Sequence, residues 1–410
     1  MRTLALPLLF ALTLPVSASS PDPKRLAVPP EDTLKAQGLV RQLASDEFTV
    51  REEAQERLAK MGRLAKPVLS SAIATNPDPE VRSRCRELLP KAAAEDLKAR
   101  LDTFLADAEG KYEHDLPGWN EFKKVTGSNP GVRALFNEMM TDQTNRSLLM
   151  AFGGSGADVG VLVAARKTEL YNWRFPRNVG LVPAGAGTGV APRRDPTPAD
   201  ITALLFAESF VESHQVPRTI AVSTLFLTPG FNAAAGENSE RGTAIKAVIV
   251  KWLETRTDPA QMYQAMTSAT NLGLKEASGV AAKLLQSGGT PVYRLYAAYA
   301  IAKNDAKQYA AALEKALDDT SAITSTRIVN GERFTTDYQV RDAALAALVM
   351  MSGQNTEDYG FVEQFLGNTT ASRYTYSART LAESERKAAV EKWRAWRAKN
   401  PEWGKEQGKK

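Results

Sequence analysis

A five-residue pattern occurs twice near the start of the chain, and it constrains the fold more than any other feature. The pattern is an acidic residue, a Val-Arg pair, a small residue and a leucine. Its copies are Glu47, Val50, Arg51, Ala54 and Leu58, and, 31 residues later, Asp78, Val81, Arg82, Cys85 and Leu89. Internal periods of this size are typical of stacked helical hairpins. Such proteins usually present an extended binding surface rather than a reaction centre.

The spacing of apolar residues around the two copies predicts helices that begin near Glu31 and extend over 50–61, 65–74 and 80–89. Gly62 is placed to end the second of these, as glycine does after a helix. Pro90 is expected to end the helix that begins at Glu80, because proline lacks an N–H and crowds the preceding turn. A further amphipathic helix is predicted over 92–108.

The chain divides into segments of different composition. We expect N-terminal repeats over 31–93, a helical middle region over 94–177, a Gly/Ala/Pro-rich loop or linker over 178–199 and further paired helices over 200–385. Within the last region, Asn330-Gly331 between β-prone residues predicts a small hairpin near 321–338. Residues 386–410 read as a basic terminal helix and tail.

Several of these motifs resemble a known family. The Asp46–Leu58 and Asp78–Arg82 segments look like HEAT-type helical repeats. Val340–Leu348, the Leu116–Phe122 element and the closing Glu391–Trp396 segment are similar to signal-bearing bacterial HEAT-like proteins of unknown function. The resemblance implies an all-α fold, a HEAT-like α-solenoid of stacked hairpins with glycine-rich loops and one β-hairpin insert. It implies binding of other macromolecules and no particular activity.

The first 18 residues have the features of a secretory signal peptide. Arg2 precedes the apolar run Thr3–Pro15, and Val16-Ser17-Ala18 offers small residues for cleavage. A Pro-rich leader follows over 19–30, and no later segment is apolar enough to cross a membrane. We therefore expect a secreted or periplasmic protein.

Cys85 is the single cysteine of the 410 residues, so the fold has no internal disulfide. It occupies the small-residue position that Ala54 holds in the first repeat. We therefore expect Cys85 to pack between helices as a small hydrophobic residue rather than to react.

The positive charge of the chain is local. The formal net charge is +5, and residues 386–410 alone contain nine lysines and arginines against three glutamates. One hypothesis is that this tail binds an anionic envelope polymer, and the alternative is a solvated terminal helix. The charge pattern contains no motif for specific nucleic-acid recognition.

Recognisable catalytic chemistry is sparse. Two histidines, His114 and His214, are too few for a zinc site with Cys85 on a packed helix, so no metal or cofactor is expected. Ser155 with His214 does not match a nucleophile elbow. His114 is expected in a surface cluster before the Pro117-Gly118 turn. We name no catalytic residue.

Large side chains near the C-terminus suggest a binding or docking surface. Trp393 and Trp396 lie three residues apart on one helix face, with Arg394 and Arg397 beside them, and Trp119 is a third large apolar anchor. These tryptophans are expected to dock the terminal helix or to form a binding patch.

These features predict a non-enzymatic extracytoplasmic scaffold that binds a protein or an envelope polymer on a helical-repeat surface. The alternative is a carboxylate-based hydrolase or lyase on a helical scaffold, since two carboxyl groups are enough to cleave glycosides.

Overall fold

The structure of the protein is a computed structural model that describes residues 20–151, 156–175, 194–212, 222–226, 228–287, 289–329, 332–361 and 383–405. These residues form α-helices and one two-stranded sheet. The mostly helical class is thereby confirmed, and the solenoid arrangement stays a prediction. The signal segment 1–18 lies outside the described residues.

The chain forms two compact units, one of residues 1–119 and 128–137 and the other of residues 120–127 and 138–410. Unit 1 contains α1 (Pro30–Gln42), α2 (Phe48–Met61), α3 (Lys66–Thr75) and α4 (Pro79–Ala106). The residues of α5 (Trp119–Thr126) and α6 (Pro130–Thr141) are divided between the units.

The core of unit 1 forms where the two hairpins, α1–α2 and α3–α4, pack on each other. Ala54 and Cys85, the equivalent small residues of the two repeats, are both fully buried in this core with Leu58 and Val81. The predicted packing role of Cys85 is confirmed. Burial also raises the pKa of its thiol, which disfavours the reactive thiolate.

The prediction that Pro90 ends a helix is wrong, because α4 continues without interruption from Pro79 to Ala106. Pro90 is exposed, while Cys85 before it and Ala92 after it are buried against neighbouring helices. Packing on both sides of the proline therefore outweighs the backbone hydrogen bond that the proline cannot make.

Unit 2 is built around a helix that is buried on every side. All residues from Ala199 to Glu208 are buried, as expected for a helix that is apolar around its circumference. The described helices of this unit are α7 (Gln143–Met150), α8 (Gly156–Arg174), α9 (Pro198–Glu208), α10 (Ser223–Phe226), α11 (Pro229–Gly236), α12 (Glu240–Glu254), α13 (Pro259–Asn271), α14 (Ala277–Leu285), α15 (Pro291–Lys303), α16 (Ala310–Lys315), α17 (Val340–Met351) and α18 (Glu383–Lys399).

The predicted hairpin is confirmed between α16 and α17. Strands β1 (Ala322–Val329) and β2 (Glu332–Gln339) pair antiparallel, with Ala322 opposite Gln339 and Val329 opposite Glu332. The Asn330-Gly331 turn itself is outside the described residues. Among the helices that the structure describes, none has both the length and the apolar composition needed to span a membrane.

Candidate functional site

One concave surface in unit 2 is a groove of about 710 Å³ formed by α5, the end of α9, α12 and the turn after α13. Its floor is apolar and consists of Val125, Phe210, Ala247, Val250 and Leu274. We call this surface the α12 groove. Its size is within the range of sites that bind peptides and small molecules.

Helix α12 supplies the longest wall of the α12 groove. Thr243, Ala247, Val250 and Glu254 follow one another at spacings of four, three and four residues, so they form one stripe along the helix. Ala247 and Val250 are only half-buried, whereas Ile245, Val248 and Ile249 are fully buried in the core. Helix α12 therefore has a second apolar face in addition to the one that packs in the core.

Phe210 closes one end of the floor and is 42% exposed, which is unusual for a phenylalanine. Its ring lies 5.1 Å from that of Phe206, edge to face, and Phe206 lies 5.1 Å from Phe122 of α5 in the same geometry. Both of these partners are fully buried. The exposed ring thus packs on the core residue Phe206, which in turn packs on Phe122.

Six charged side chains border the apolar floor, three of each sign. None of the six makes an ion pair with another residue in the part of the chain that the structure describes. They are Lys124, Lys246, Lys251, Glu121, Glu254 and Glu276. The rim is therefore neutral in sum but carries both signs in positions open to a partner.

A buried ionic cluster fixes the end of α9 from which Phe210 projects. Glu208 accepts from Arg256 Nη1 at 3.2 Å and lies 3.1 Å from Lys167 Nζ, while Arg256 Nη2 donates to the backbone carbonyl of Glu208 at 2.8 Å. Burial lowers the pKa of Lys167 and of Arg256, and the Glu208 carboxylate opposes that effect. The contacts of all three side chains therefore serve to position α9.

The other end of α9 is held by the residue next to Lys167. Arg166 Nη2 donates to Asp200 Oδ1 at 2.7 Å and to Asn145 Oδ1 at 2.8 Å, and Asp200 also forms a capping box with Thr197. Asp200 and Glu208 are about 12 Å apart along the helix axis. Two consecutive residues of α8 therefore secure both ends of the central helix.

A smaller cavity of about 270 Å³ lies in unit 1, and His114 is one of its lining residues. The expected position of His114 is wrong. His114 is not in a surface cluster: it is 5% exposed, its Nε2 lies 3.0 Å from Asp107 Oδ2, and its ring packs edge-on against Phe104. The reason is the Asp107 carboxylate, which gives the imidazole a buried partner.

Asp107 is shared among several donors. Its carboxylate accepts from the backbone N–H groups of Lys111 and Tyr112 and from Arg133 Nη2 at 3.3 Å. Burial by itself would raise the pKa of Asp107, but the hydrogen bonds from Tyr112, Lys111 and His114 and the charge of Arg133 lower it overall. The Asp107–His114 pair is part of a buried hydrogen-bond network, and among the described residues no nucleophilic side chain is hydrogen-bonded to His114.

The tryptophans predicted as a binding or docking surface are buried or half-buried in the structure. Trp119 is 1% exposed in the core of unit 1, where its ring packs against Phe104. Trp393 is also 1% exposed, and Trp396 is half-buried; their rings lie 5.1 Å apart, and both contact Trp403. Trp119 is thus part of the unit 1 core, and Trp393 and Trp396 hold α18 in place through their contacts with Trp403.

The two arginines of that prediction differ in their surroundings. Arg397 pairs with Glu314 at 2.8 Å, which ties α18 to α16. Arg394 is largely exposed and lies 3.6 Å from Asp318. Neither arginine lines the α12 groove.

The remaining candidates named from the sequence are Ser155, His214 and a metal site. Ser155 and His214 lie outside the described residues. Within the described ranges, no group of three or more His, Cys, Asp or Glu side chains is arranged to hold a metal ion. The groove residues Phe210, Lys246, Val250 and Lys251 were not predicted. The available signal was the apolar arc of α12, which is wider than one core-facing stripe requires.

Comparisons of the chain with protein-family models, with curated proteins and with solved structures gave no match.

Proposed function

We propose that this chain is a non-enzymatic extracytoplasmic binding protein that holds a protein partner in the α12 groove. The observation that carries the proposal is the combination of an accessible apolar floor with six charged groups that lack ion-pair partners among the described residues. Protein–protein interfaces have this anatomy, an apolar centre within a polar rim.

The mixed rim charge favours a polypeptide over an anionic polymer. A polyanion is attracted by positive charge alone, and Glu121, Glu254 and Glu276 would repel it as Lys124, Lys246 and Lys251 attract it. The basic C-terminal segment gives the polymer hypothesis little more support, since Arg386 and Arg397 are already paired with Asp342 and Glu314.

The extracytoplasmic location is supported by the signal-like residues 1–18. The non-enzymatic character is supported by the composition of the groove, whose described lining residues include neither histidine nor cysteine. The hydrolase alternative would assign the three groove glutamates a catalytic role, so it predicts turnover that Glu→Gln changes at these positions abolish.

Site-specific photo-crosslinking tests the proposal. A benzophenone side chain would replace Ala247 in the groove of the full chain, and Gln308, an exposed residue of unit 2 outside the groove, would provide the control position. We expect Ala247 to crosslink one discrete protein in a native envelope extract, and Gln308 not to do so.

Competition with unlabelled protein tests whether the crosslink is specific to the α12 groove. Excess unmodified protein should suppress the crosslink, whereas protein carrying Ala247→Glu should not, and Gln308→Glu should compete like the unmodified chain. Circular dichroism would verify that both variants are folded. Equal crosslinking at the two positions, or full competition by Ala247→Glu, would show that the groove is not the binding site.

A further inference from the structure

The β-hairpin is fastened to the helices of unit 2 at its base. The N–H of Val340 donates to the carbonyl oxygen of Ser321 at 3.0 Å, and Arg294 Nη2 donates to Ser321 Oγ at 2.6 Å. Arg294 also pairs with Asp319 at 2.9 Å. From this base, β1 and β2 pair residue by residue along their whole length, without a bulge. Among the described residues no third strand pairs with the hairpin, so each strand has an open outer edge.

An open strand edge has backbone donors and acceptors that point outward. In an antiparallel pair, residues that exchange hydrogen bonds alternate with residues whose N–H and C=O groups point away from the neighbouring strand. The bond between Val340 and Ser321 fixes this alternation along the hairpin. The residues whose backbone groups point outward are Ala322, Thr324, Thr326 and Ile328 on β1, and Arg333, Thr335, Asp337 and Gln339 on β2. Ala322 and Thr324 are exposed, so α15, which packs near the base of β1, leaves this edge accessible.

The two edges differ in charge. β2 contains Glu332, Arg333 and Asp337, and the last two are outward-pointing positions. β1 contains one charged residue, Arg327, whose backbone groups point toward β2, and it is rich in β-branched residues. Charges on an edge strand oppose the addition of another strand, whereas a long, regular and nearly uncharged edge favours it. The β1 edge is therefore the one suited to pairing with a further strand.

The sequence of β1 is suited to pairing with a second copy of itself. An antiparallel pair centred on Ser325 places this residue opposite its own equivalent and Thr324 opposite Thr326 of the second copy. The outward-pointing residues then face one another in four pairs, which gives about eight backbone hydrogen bonds. Threonine opposite threonine is a favourable cross-strand pair, and Arg327 lies opposite Ile323 rather than opposite another arginine.

The same arrangement limits the assembly to two chains. Two hairpins joined along β1 form a sheet in the order β2-β1-β1-β2, so both outer edges are the charged β2 strands, which oppose further addition. The pairing also extends a two-stranded ribbon, which is only marginally stable by itself, to four strands. A strand that pairs antiparallel with its own copy generates a closed two-fold dimer rather than a fibre.

From these observations we infer that the β1 edge is a dimerisation surface whose partner is β1 of a second copy of this chain. The two strands pair about a two-fold axis at Ser325 and form one continuous four-stranded sheet. No residue of the hairpin lines the α12 groove, so this inference does not depend on the proposed function.

Matched proline variants of the full chain test the inference by sedimentation velocity over a range of protein concentrations. Thr326→Pro removes an outward N–H of β1 without removing a hydrogen bond between β1 and β2, a position at which edge strands tolerate proline. Thr335→Pro makes the same change at the residue directly opposite, on the β2 edge. We expect the wild type and Thr335→Pro to dimerise alike, and Thr326→Pro to require at least about tenfold more protein. Circular dichroism would verify that both variants are folded.

Charged variants at the two-fold axis test the register. Ser325→Lys and Ser325→Asp each place like charges directly opposite one another, so each variant alone should dimerise more weakly than the wild type. An equimolar mixture of the two should form a heterodimer, because opposite charges then face each other. Thr336→Lys, at the β2 position that pairs with Ser325 within the hairpin, should leave the dimer unchanged.

Four outcomes would overturn the inference. They are a wild-type chain that is monomeric at its highest soluble concentration, equal dimerisation of the Thr326→Pro and Thr335→Pro variants, failure of the mixed Ser325 variants to form a heterodimer, and a monomeric chain that captures a foreign extended peptide through β1. The last outcome, with capture lost in Thr326→Pro, would identify a different protein as the occupant of this edge.

Discussion

Arg51 and Arg82 lie 31 residues apart and make the same contacts with the turn that precedes their helices. Arg51 Nη1 donates to the carbonyl oxygens of Ser45 at 2.7 Å and Asp46 at 3.0 Å. Arg82 Nη1 donates to those of Asn76 at 2.7 Å and Pro77 at 2.8 Å. Each arginine is the fourth residue of its helix and satisfies carbonyls that the turn leaves unpaired.

Arginines at the same helix position make equivalent contacts in parts of the chain where the repeat pattern is not evident in the sequence. Arg146 and Arg294 are also fourth in their helices, and they donate to carbonyls of the preceding segment, Met140 for the first and Ser287 and Gly289 for the second. The repeated arginine therefore marks the junction of two helices rather than a binding surface.

The first prediction concerns this junction. Arg82→Ala should lower the free energy of unfolding by about 1–3 kcal/mol, because two carbonyls lose a charged donor. Arg86→Ala on the same helix, where the side chain is exposed, should change it by less than about 0.5 kcal/mol. Urea unfolding measures both, and equal effects of the two variants would contradict a role for the Arg82 contacts.

The second prediction concerns the proline inside α4. Pro90→Ala should stabilise the protein by up to about 3 kcal/mol, because it adds a backbone N–H and relieves crowding in the preceding turn. Ala94→Pro, at an exposed position one turn later, should destabilise it by a similar amount. The midpoints of urea unfolding compare them. A loss of stability in Pro90→Ala would show that the helix requires the proline.

The third prediction concerns pH and Asp107. Because the pKa of this carboxyl is lower in the folded state than its unfolded value of about 3.9, the charge stabilises unit 1 above that pH, and the contribution disappears as the pH falls through the folded pKa. Asp107→Asn should therefore be clearly less stable than the wild type at neutral pH, and the difference should shrink on acidification.

Hydrogen–deuterium exchange of peptides from residues 101–119 measures this difference within unit 1. Asp102→Asn is the matched control, since Asp102 is partly exposed and, among the described residues, pairs with Lys98 on its own helix alone. A constant difference between wild type and Asp107→Asn from neutral to acidic pH would contradict the linkage.

The fourth prediction concerns the attachment of α18. Arg386 is buried and donates through Nε and Nη2 to the two oxygens of Asp342 at 2.7 and 3.0 Å. Arg386→Gln leaves that buried carboxylate without its cation and should cost about 3 kcal/mol, with faster amide exchange in α18. Lys387→Gln, next to it and exposed, should leave exchange unchanged. Equal exchange in the two variants would mean that the other contacts of α18 hold the helix without the Arg386–Asp342 pair.

Local signals in the sequence were sufficient for the hairpins, the packing role of Cys85 and the β-hairpin before α17. Each of these depends on residues close together in the chain, such as the turn at Asn330-Gly331 and the matching positions of Ala54 and Cys85. They were insufficient for Pro90, where contacts of α4 with other helices decide whether the helix continues.

The two candidate sites depend on contacts that local sequence signals do not predict. The residues around His114 indicated a surface cluster, but the structure places Asp107 seven residues earlier within hydrogen-bonding distance and buries both. The α12 groove combines residues from 121 to 276, and their proximity depends on how α5, α9 and α12 pack.

The sequence by itself determined that the chain is mostly helical and which small residues enter the first core, because apolar periodicity and turn residues act over a few positions. Only the tertiary structure decided which apolar residues remain open. The full burial of Ile245 and the partial burial of Val250, five residues later on the same helix, depend on whether another helix covers each face, and that depends on packing between distant segments.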